Sequence, residues 1–223
     1  MVERDWSSDV CSSDLIRRNA LIRRLPAVET LGSASAICSD KTGTLTQNQM
    51  TVVKLYVSGQ IIEVSGSGYV PEGEFFRNGA PLDPLAMPDA RRLLMGGLLA
   101  SDARLEVLND GEGPGGSNGD ERRHRMVGDP TEGALVTVAA KAHLWRDEVE
   151  REYPRVNEIP FDAARKRMST VHSTPNGSGY LAFVKGAPEI VLDRCEFMVC
   201  DGETRPLDAA SREAILRANH DFA

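Results

Sequence analysis

Asp40 follows a short apolar run, Ala36-Ile37-Cys38, and opens the polar stretch Asp40-Lys41-Thr42-Gly43-Thr44-Leu45-Thr46. Such a run is expected to end a buried parallel strand, and open α/β sheets bind ligands in the loops at the carboxyl ends of their strands. Placed there, Asp40 is a candidate nucleophile, because a carboxylate can accept a phosphoryl group as an acyl phosphate. Lys41 and the threonine hydroxyls can meet phosphate oxygens, and Gly43 lets the backbone come close.

Other stretches add candidate binding groups. Gly128-Asp129-Pro130-Thr131-Glu132-Gly133-Ala134-Leu135 has the local chemistry of a helix start. Asp129 is the expected N-cap, Pro130 the first helical residue and Glu132 the far member of a capping box, with Leu135, Val138 and Ala139 available for burial. Val156–Pro160 reads as a strand leading into Phe161-Asp162-Ala163-Ala164-Arg165-Lys166-Arg167-Met168, with Ser169–His172 as its continuation. On composition alone Phe161 is a core residue. Leu181–Val184 is a β-type run closed by Lys185-Gly186-Ala187-Pro188-Glu189, where Pro188 is set for the first turn of a helix through Asp193. A lysine at a strand end is ordinarily solvent-facing.

Taken together, these segments resemble the P-type cation-transporting ATPases. Asp40–Thr46 matches the phosphorylation motif DKTGTLT, and Arg18–Gly32 resembles the segment joining the fourth membrane helix to the phosphorylation domain in calcium-pump-like members. Gly128–Leu135, Phe161–Met168 and Lys185–Glu189 resemble the motifs of the nucleotide-binding domain. The resemblance implies that Phe161 stacks on adenine, that Glu132 faces the base, and that Lys166, Lys185 and Gly186 lie at the nucleotide. It also implies that Asp40 takes the γ-phosphoryl of ATP, with Lys41 and Thr42 beside it, and that Mg²⁺ is held by Asp40 and the Thr42 carbonyl. Ala163 departs from relatives that carry an arginine there, which removes one phosphate contact.

The elements that must position these groups follow from pattern. Met50–Ser58 alternates as a strand and Gln60–Val64 returns as its hairpin partner across Ser58-Gly59. Ser65–Pro88 is Gly- and Pro-rich and is expected to be loop with short extended pieces. Leu93, Leu94, Leu98 and Leu99 at helical spacing predict a helix over Asp89–Leu105. Leu108–His124 is too rich in Gly and acids to bury much surface, so it is expected to be a mobile loop and the first site of limited proteolysis. Glu196–Val199 predicts a further strand and Leu207–His220 an amphipathic helix.

The fold class expected is α+β: an antiparallel sheet with flanking helices, plus the first strand of a Rossmann-like phosphorylation domain. Residues 16–32 are expected to form a stalk, 33–48 the start of the phosphorylation domain and 49–223 most of the nucleotide-binding domain. Met1–Leu15 repeats Ser-Ser-Asp and is polar where the resemblance calls for the end of a membrane helix, so it reads as a non-native leader.

With 223 residues and 41% apolar content the chain can build one or two cored domains. Its net charge of −7 argues against nucleic acid as a partner, despite the cluster Arg122-Arg123-His124-Arg125. No run of about 18 apolar residues is present, so the membrane contact and the cation path that the resemblance implies must lie in segments outside this sequence, with this region on the cytoplasmic side. Cys11, Cys38, Cys195 and Cys200 have no metal-ligand spacing, and Cys38 is expected to pack as a small buried apolar group. Two other readings stay open. A haloacid-dehalogenase-type phosphatase shares the strand-borne Asp, but commonly has a second Asp where this chain has Thr42. A nucleotide-binding module without catalysis requires only the later motifs.

Overall fold

The computed structural model describes Ser35, Ala36, Cys38 and residues 49–108 and 123–223. Ser58 and Gly59 take left-handed dihedrals, φ 51° and 76°. A two-residue turn of that type matches the right-handed twist of the strands it joins. It connects β1 (Lys54–Val57) to β2 (Gln60–Val64), pairing Val57 with Gln60 and Lys54 with Glu63. The expected strand over Met50–Ser58 is thus shortened to its paired half. β3 (Phe75–Arg77) and β4 (Ala80–Leu82) extend the pair into an antiparallel meander. A 3-10 turn, Pro84–Ala86, leads into helix α1 (Pro88–Leu99).

Helix α1 stops six residues before the predicted end at Leu105, and the leucine periodicity does not explain why. Its last carbonyls are claimed by side chains from far along the chain. Arg146 Nη2 donates to the carbonyls of Leu98, Ser101 and Ala103 at 3.1, 3.0 and 2.9 Å, and Arg155 Nη2 to those of Leu99 and Ser101, both at 2.8 Å. These bonds satisfy acceptors that a helix end otherwise leaves open. The chain then runs into β5 (Arg104–Leu108), which pairs with β6 (Arg123–Val127). Leu108, Arg123 and His124 therefore belong to a hairpin and not to a loop, and the middle of the predicted loop lies outside the described residues. The basic cluster is partly accounted for by that pairing, since Arg125 forms an ion pair with Glu106 at 2.8 Å.

Helices α2 (Pro130–Lys141) and α3 (Arg146–Glu152) precede a second antiparallel sheet of β7 (Arg155–Asp162), β8 (Arg167–Ser173) and β9 (Tyr180–Gly186). Ser169–His172 is therefore not a continuation of the strand that carries Phe161. The chain reverses at 163–166, where Lys166 takes φ 52°, and β8 runs back along β7. Helix α4 (Pro188–Leu192), the hairpin β10 (Phe197–Cys200) with β11 (Glu203–Pro206), and helix α5 (Ala209–Phe222), capped by Asp208, complete the order. The single sheet expected is, among the described residues, four small antiparallel ones within an α+β class that stands, and the expected first strand of a phosphorylation domain lies largely outside the described residues.

Residues Asn48–Ala223 form one compact unit. Its core joins Leu55, Ile62, Val64 and Phe75 of the meander to Leu94, Leu98 and Leu99 of α1 and Val136, Val138 and Ala139 of α2. Leu135 is only half-buried, unlike the other two α2 residues picked out for the core. Cys38 is exposed and in no strand, contrary to the packed position expected of it. A parallel strand is buried only by neighbours on both faces, and among the described residues none pairs with this segment. Among the described residues no helix is long and apolar enough to cross a membrane.

Met168, Thr170 and His172 alternate inward along β8. His172 is fully buried, with its ring edge-on to Phe183 at 5.6 Å. Its Nδ1 donates to the Tyr153 carbonyl at 2.9 Å, and among the described residues its Nε2 has no hydrogen-bond partner. Burial holds the imidazole below its usual value, and nearby Arg155 adds to the effect. The folded chain therefore binds a proton at His172 less readily than the unfolded chain does. Stability is expected to be complete above the ordinary imidazole value of about 6.5 and to decline as pH falls through the depressed folded value. Urea midpoints between pH 7.5 and pH 5 check this. His172→Gln should flatten the decline, and an unchanged slope would contradict it.

Candidate nucleotide site

The candidate groups gather at one end of the β7–β9 sheet, where Asp162, Arg167 and Gly186 stand in one row across the three strands. Phe161 directly precedes that row on β7 and Lys185 precedes it on β9, with Lys166 in the turn. Phe161 is 63% exposed, so the core position suggested by composition is overturned: the bulge in pairing between Ile159 and Asp162 leaves its ring at the surface.

The turn is held tightly. Lys166 N donates to the Asp162 carbonyl at 2.7 Å, Arg165 N donates to the Asp162 carboxylate at 2.7 Å, and Ala187 N donates to the Lys166 carbonyl at 3.0 Å. Gly186 is required by that last contact. A Cβ there would lie 2.3 Å from the Lys166 carbonyl oxygen and 2.8 Å from the Arg167 Cα, both backbone atoms that cannot swing away. Gly186 thus packs the Lys185 strand against the Lys166 turn. The Lys166 side chain is exposed and free to reach a ligand.

Lys185 points to the core side of the sheet, paired with Met168. Its ammonium donates to Glu132 Oε1 at 2.7 Å and to Ser101 Oγ at 3.2 Å. Glu132 is delivered by the first turn of α2. Asp129 caps that helix, accepting from the amides of Thr131 and Glu132, and Pro130 opens it. Burial works against the Asp129 carboxylate, but the Glu132 and Thr131 amides and the Lys185 charge outweigh it and hold its pKa below the usual range. The expected capping box is only half formed. Glu132 does not turn back to the cap, because its Oε2 accepts instead from the amides of Asp102 and Ala103 at 2.7 and 3.1 Å.

Ser101, Asp102 and Ala103 therefore belong to the site, although no local pattern marks them. A partly buried carboxylate, a lysine and a hydroxyl meet there, and the exposed Phe161 ring stands at the same end of the sheet, two strands away. A cleft of about 280 Å³ opens beside Lys185, lined also by Phe183, Gly96 and Leu135. A larger groove of about 520 Å³, lined by Val57, Leu93, Met198, Val199 and Ile215, includes none of the predicted site residues. Its polar end is already occupied, with Asp89 accepting from Ser58 Oγ at 2.6 Å and from the Gly202 amide. Ring, carboxylate, ammonium and glycine are the chemistry of base stacking and phosphate approach. The groove has a ring, a carboxylate, a cation and a glycine of its own in Tyr56, Asp89, Arg92 and Gly59, but that carboxylate is already bonded and among the described residues no lysine lines the groove.

Asp40, Lys41 and Thr42 lie outside the described residues. Residues 89–223, more than half of the chain, match the family model for the P-type ATPase cytoplasmic domain N. The chain is 44% identical over 192 residues to the cation-transporting ATPase pma1 of Synechocystis, an alignment covering 84% of this chain and 20% of that protein. It is 37% identical over 206 residues to a calcium-transporting ATPase of Bacillus subtilis, covering 91% and 22%. It is 35% identical over 202 residues to calcium-transporting ATPase type 2C member 1 of Bos taurus, covering 89% and 19%. The chain spans about a fifth of the length of these curated relatives.

Proposed function

The chain belongs to the P-type cation-transporting ATPases, and from that membership we propose that it carries the nucleotide pocket and the phosphorylated aspartate of an ATP-driven cation pump. Phe161 takes the adenine ring, Glu132 meets its edge, and Lys166, Lys185 and Gly186 border the ribose and phosphates. Asp40 accepts the γ-phosphoryl, with Lys41 and Thr42 at the transferred group. The residues present suit Mg²⁺ in one respect: the Asp40 carboxylate and the Thr42 carbonyl are hard oxygen donors of the kind that ion takes, alongside substrate phosphates. The metal supplies charge neutralisation between the two anions, and the protein supplies alignment.

The observation that carries this reading is the partly buried Lys185–Glu132 pair, at 23% and 15% exposure, at the same end of the β7–β9 sheet as a Phe161 ring left 63% exposed. The relatives are named for cation and calcium transport, and we extend that to the intact protein as a membrane pump whose described region is cytoplasmic. Nucleotide binding without phosphoryl transfer is the expected behaviour of this chain by itself.

The chain should bind ATP weakly, with a Kd of about 0.1–10 mM. Phe161→Ala should weaken binding at least fivefold, since base–aromatic stacking is worth about 1–3 kcal/mol. Lys185→Ala should weaken it as well, through lost charge. Amide-shift titrations with ATP measure all three affinities. Equal binding by the wild type and both variants would remove the assignment.

A further inference from the structure

Glu132 is held by two backbone amides, and those amides are themselves held from outside the site. Asp102 and Ala103 sit in the segment that follows α1. Four carbonyls of that segment, from Leu98, Leu99, Ser101 and Ala103, accept from the guanidinium groups of Arg146 and Arg155. Arg155 also grips the segment by a side chain, pairing through Nη1 with Asp102 Oδ1 at 2.6 Å, and is itself anchored by Glu158 at 2.8 Å. Arg146 is 9% exposed and anchored by Glu150 at 2.6 Å. A continuous path of hydrogen bonds therefore runs from Arg155, through the segment 99–103, to the Glu132 carboxylate and on to the Lys185 ammonium.

We infer that Arg155 is a positioning residue of the nucleotide pocket, aiming the Glu132 carboxylate at the base without touching the nucleotide. This rests on the reading of Glu132 as the group at the adenine edge. Arg155 suits the task because its planar fork reaches two carbonyls and two carboxylates at once, whereas a lysine offers a single ammonium. Among the described residues Glu132 Oε1 accepts from Lys185 alone, and Oε2 is filled by two amides. Oε1 therefore has the capacity left for the exocyclic amine of adenine, and its direction is set by how Oε2 is held. Loosening the segment 99–103 would turn the carboxylate and spoil recognition of that amine while leaving stacking on Phe161 and the phosphate contacts in place.

The test compares ATP with ITP, which has an oxo group where ATP has the amine, in titrations of the full 223-residue chain. The wild type should prefer ATP. Arg155→Met should reduce the ATP:ITP affinity ratio by about tenfold, the size of one misplaced charge-assisted hydrogen bond, with ITP affinity unchanged. The Asp102 and Ala103 amide signals should shift in the nucleotide-free variant. Arg155→Lys is milder, should reduce the ratio by about threefold, and carries the test if the methionine variant does not fold. Wild-type preference retained in a folded variant would overturn the inference, as would an equal loss for both nucleotides. Absence of any preference in the wild type would overturn the underlying reading of Glu132, and this inference with it, and is recognisable because it shows before any substitution is made.

Discussion

Incubated with radiolabelled ATP and Mg²⁺ and then quenched in acid, the isolated 223-residue chain is expected to carry no phosphate on Asp40, whereas a full-length pump containing the same sequence should label there. Asp40→Asn in the full-length protein should abolish that label and leave ATP binding intact. Phosphoryl transfer asks the protein for alignment and charge neutralisation more than for covalent chemistry. Holding a nucleophile in line with the γ-phosphate accounts for a factor of about 10⁵ or more, and its loss alone would put labelling out of reach. The chain spans about a fifth of its relatives' length. Hydroxylamine-sensitive label on the isolated chain would contradict the expectation.

Gly128→Ala is expected to destabilise the chain by about 2–5 kcal/mol, combining backbone strain with overpacking. Gly128 has φ 125°, which side chains on L-residues rarely adopt, and an added Cβ would stand 2.8 Å from the Ala103 Cα and 2.9 Å from its Cβ. Ala103 cannot retreat, because its carbonyl is bound by Arg146 and its amide by Glu132. The variant should therefore lose nucleotide affinity as well as stability. Gly79→Ala is the matched control: it too has positive φ, 77°, but meets nothing within 4 Å. A smaller urea-midpoint loss for Gly128→Ala than for Gly79→Ala would show that the contact with Ala103 is not tight.

What was legible in the sequence was local. The Ser58-Gly59 turn, the Asp129 cap and Pro130 each act within a few residues, so their chemistry reads directly from the order of side chains. The pieces that escaped are those decided across long separations. The end of α1 was hidden because Leu105 continues the leucine periodicity, while the groups that stop the helix are Arg146 and Arg155, more than 40 residues further on. Glu132 showed a capping-box spacing, and that spacing was real. Two amides from another segment and a lysine from β9 compete more effectively for its carboxylate than its own cap does. Phe161 was misread by composition because an exposed ring on a strand is the exception. A family resemblance, not a local pattern, pointed to its use.

The most direct measurement of where nucleotide binds is the set of intermolecular NOEs between the adenine protons of ATP and assigned side chains of the chain. Contacts from H2 and H8 to the Phe161 ring, with others to Lys185 or Gly186, are the result expected of a pocket at the end of the β7–β9 sheet. Contacts to Met198, Val199 or Ile215 in the larger groove, with none to Phe161, would contradict it.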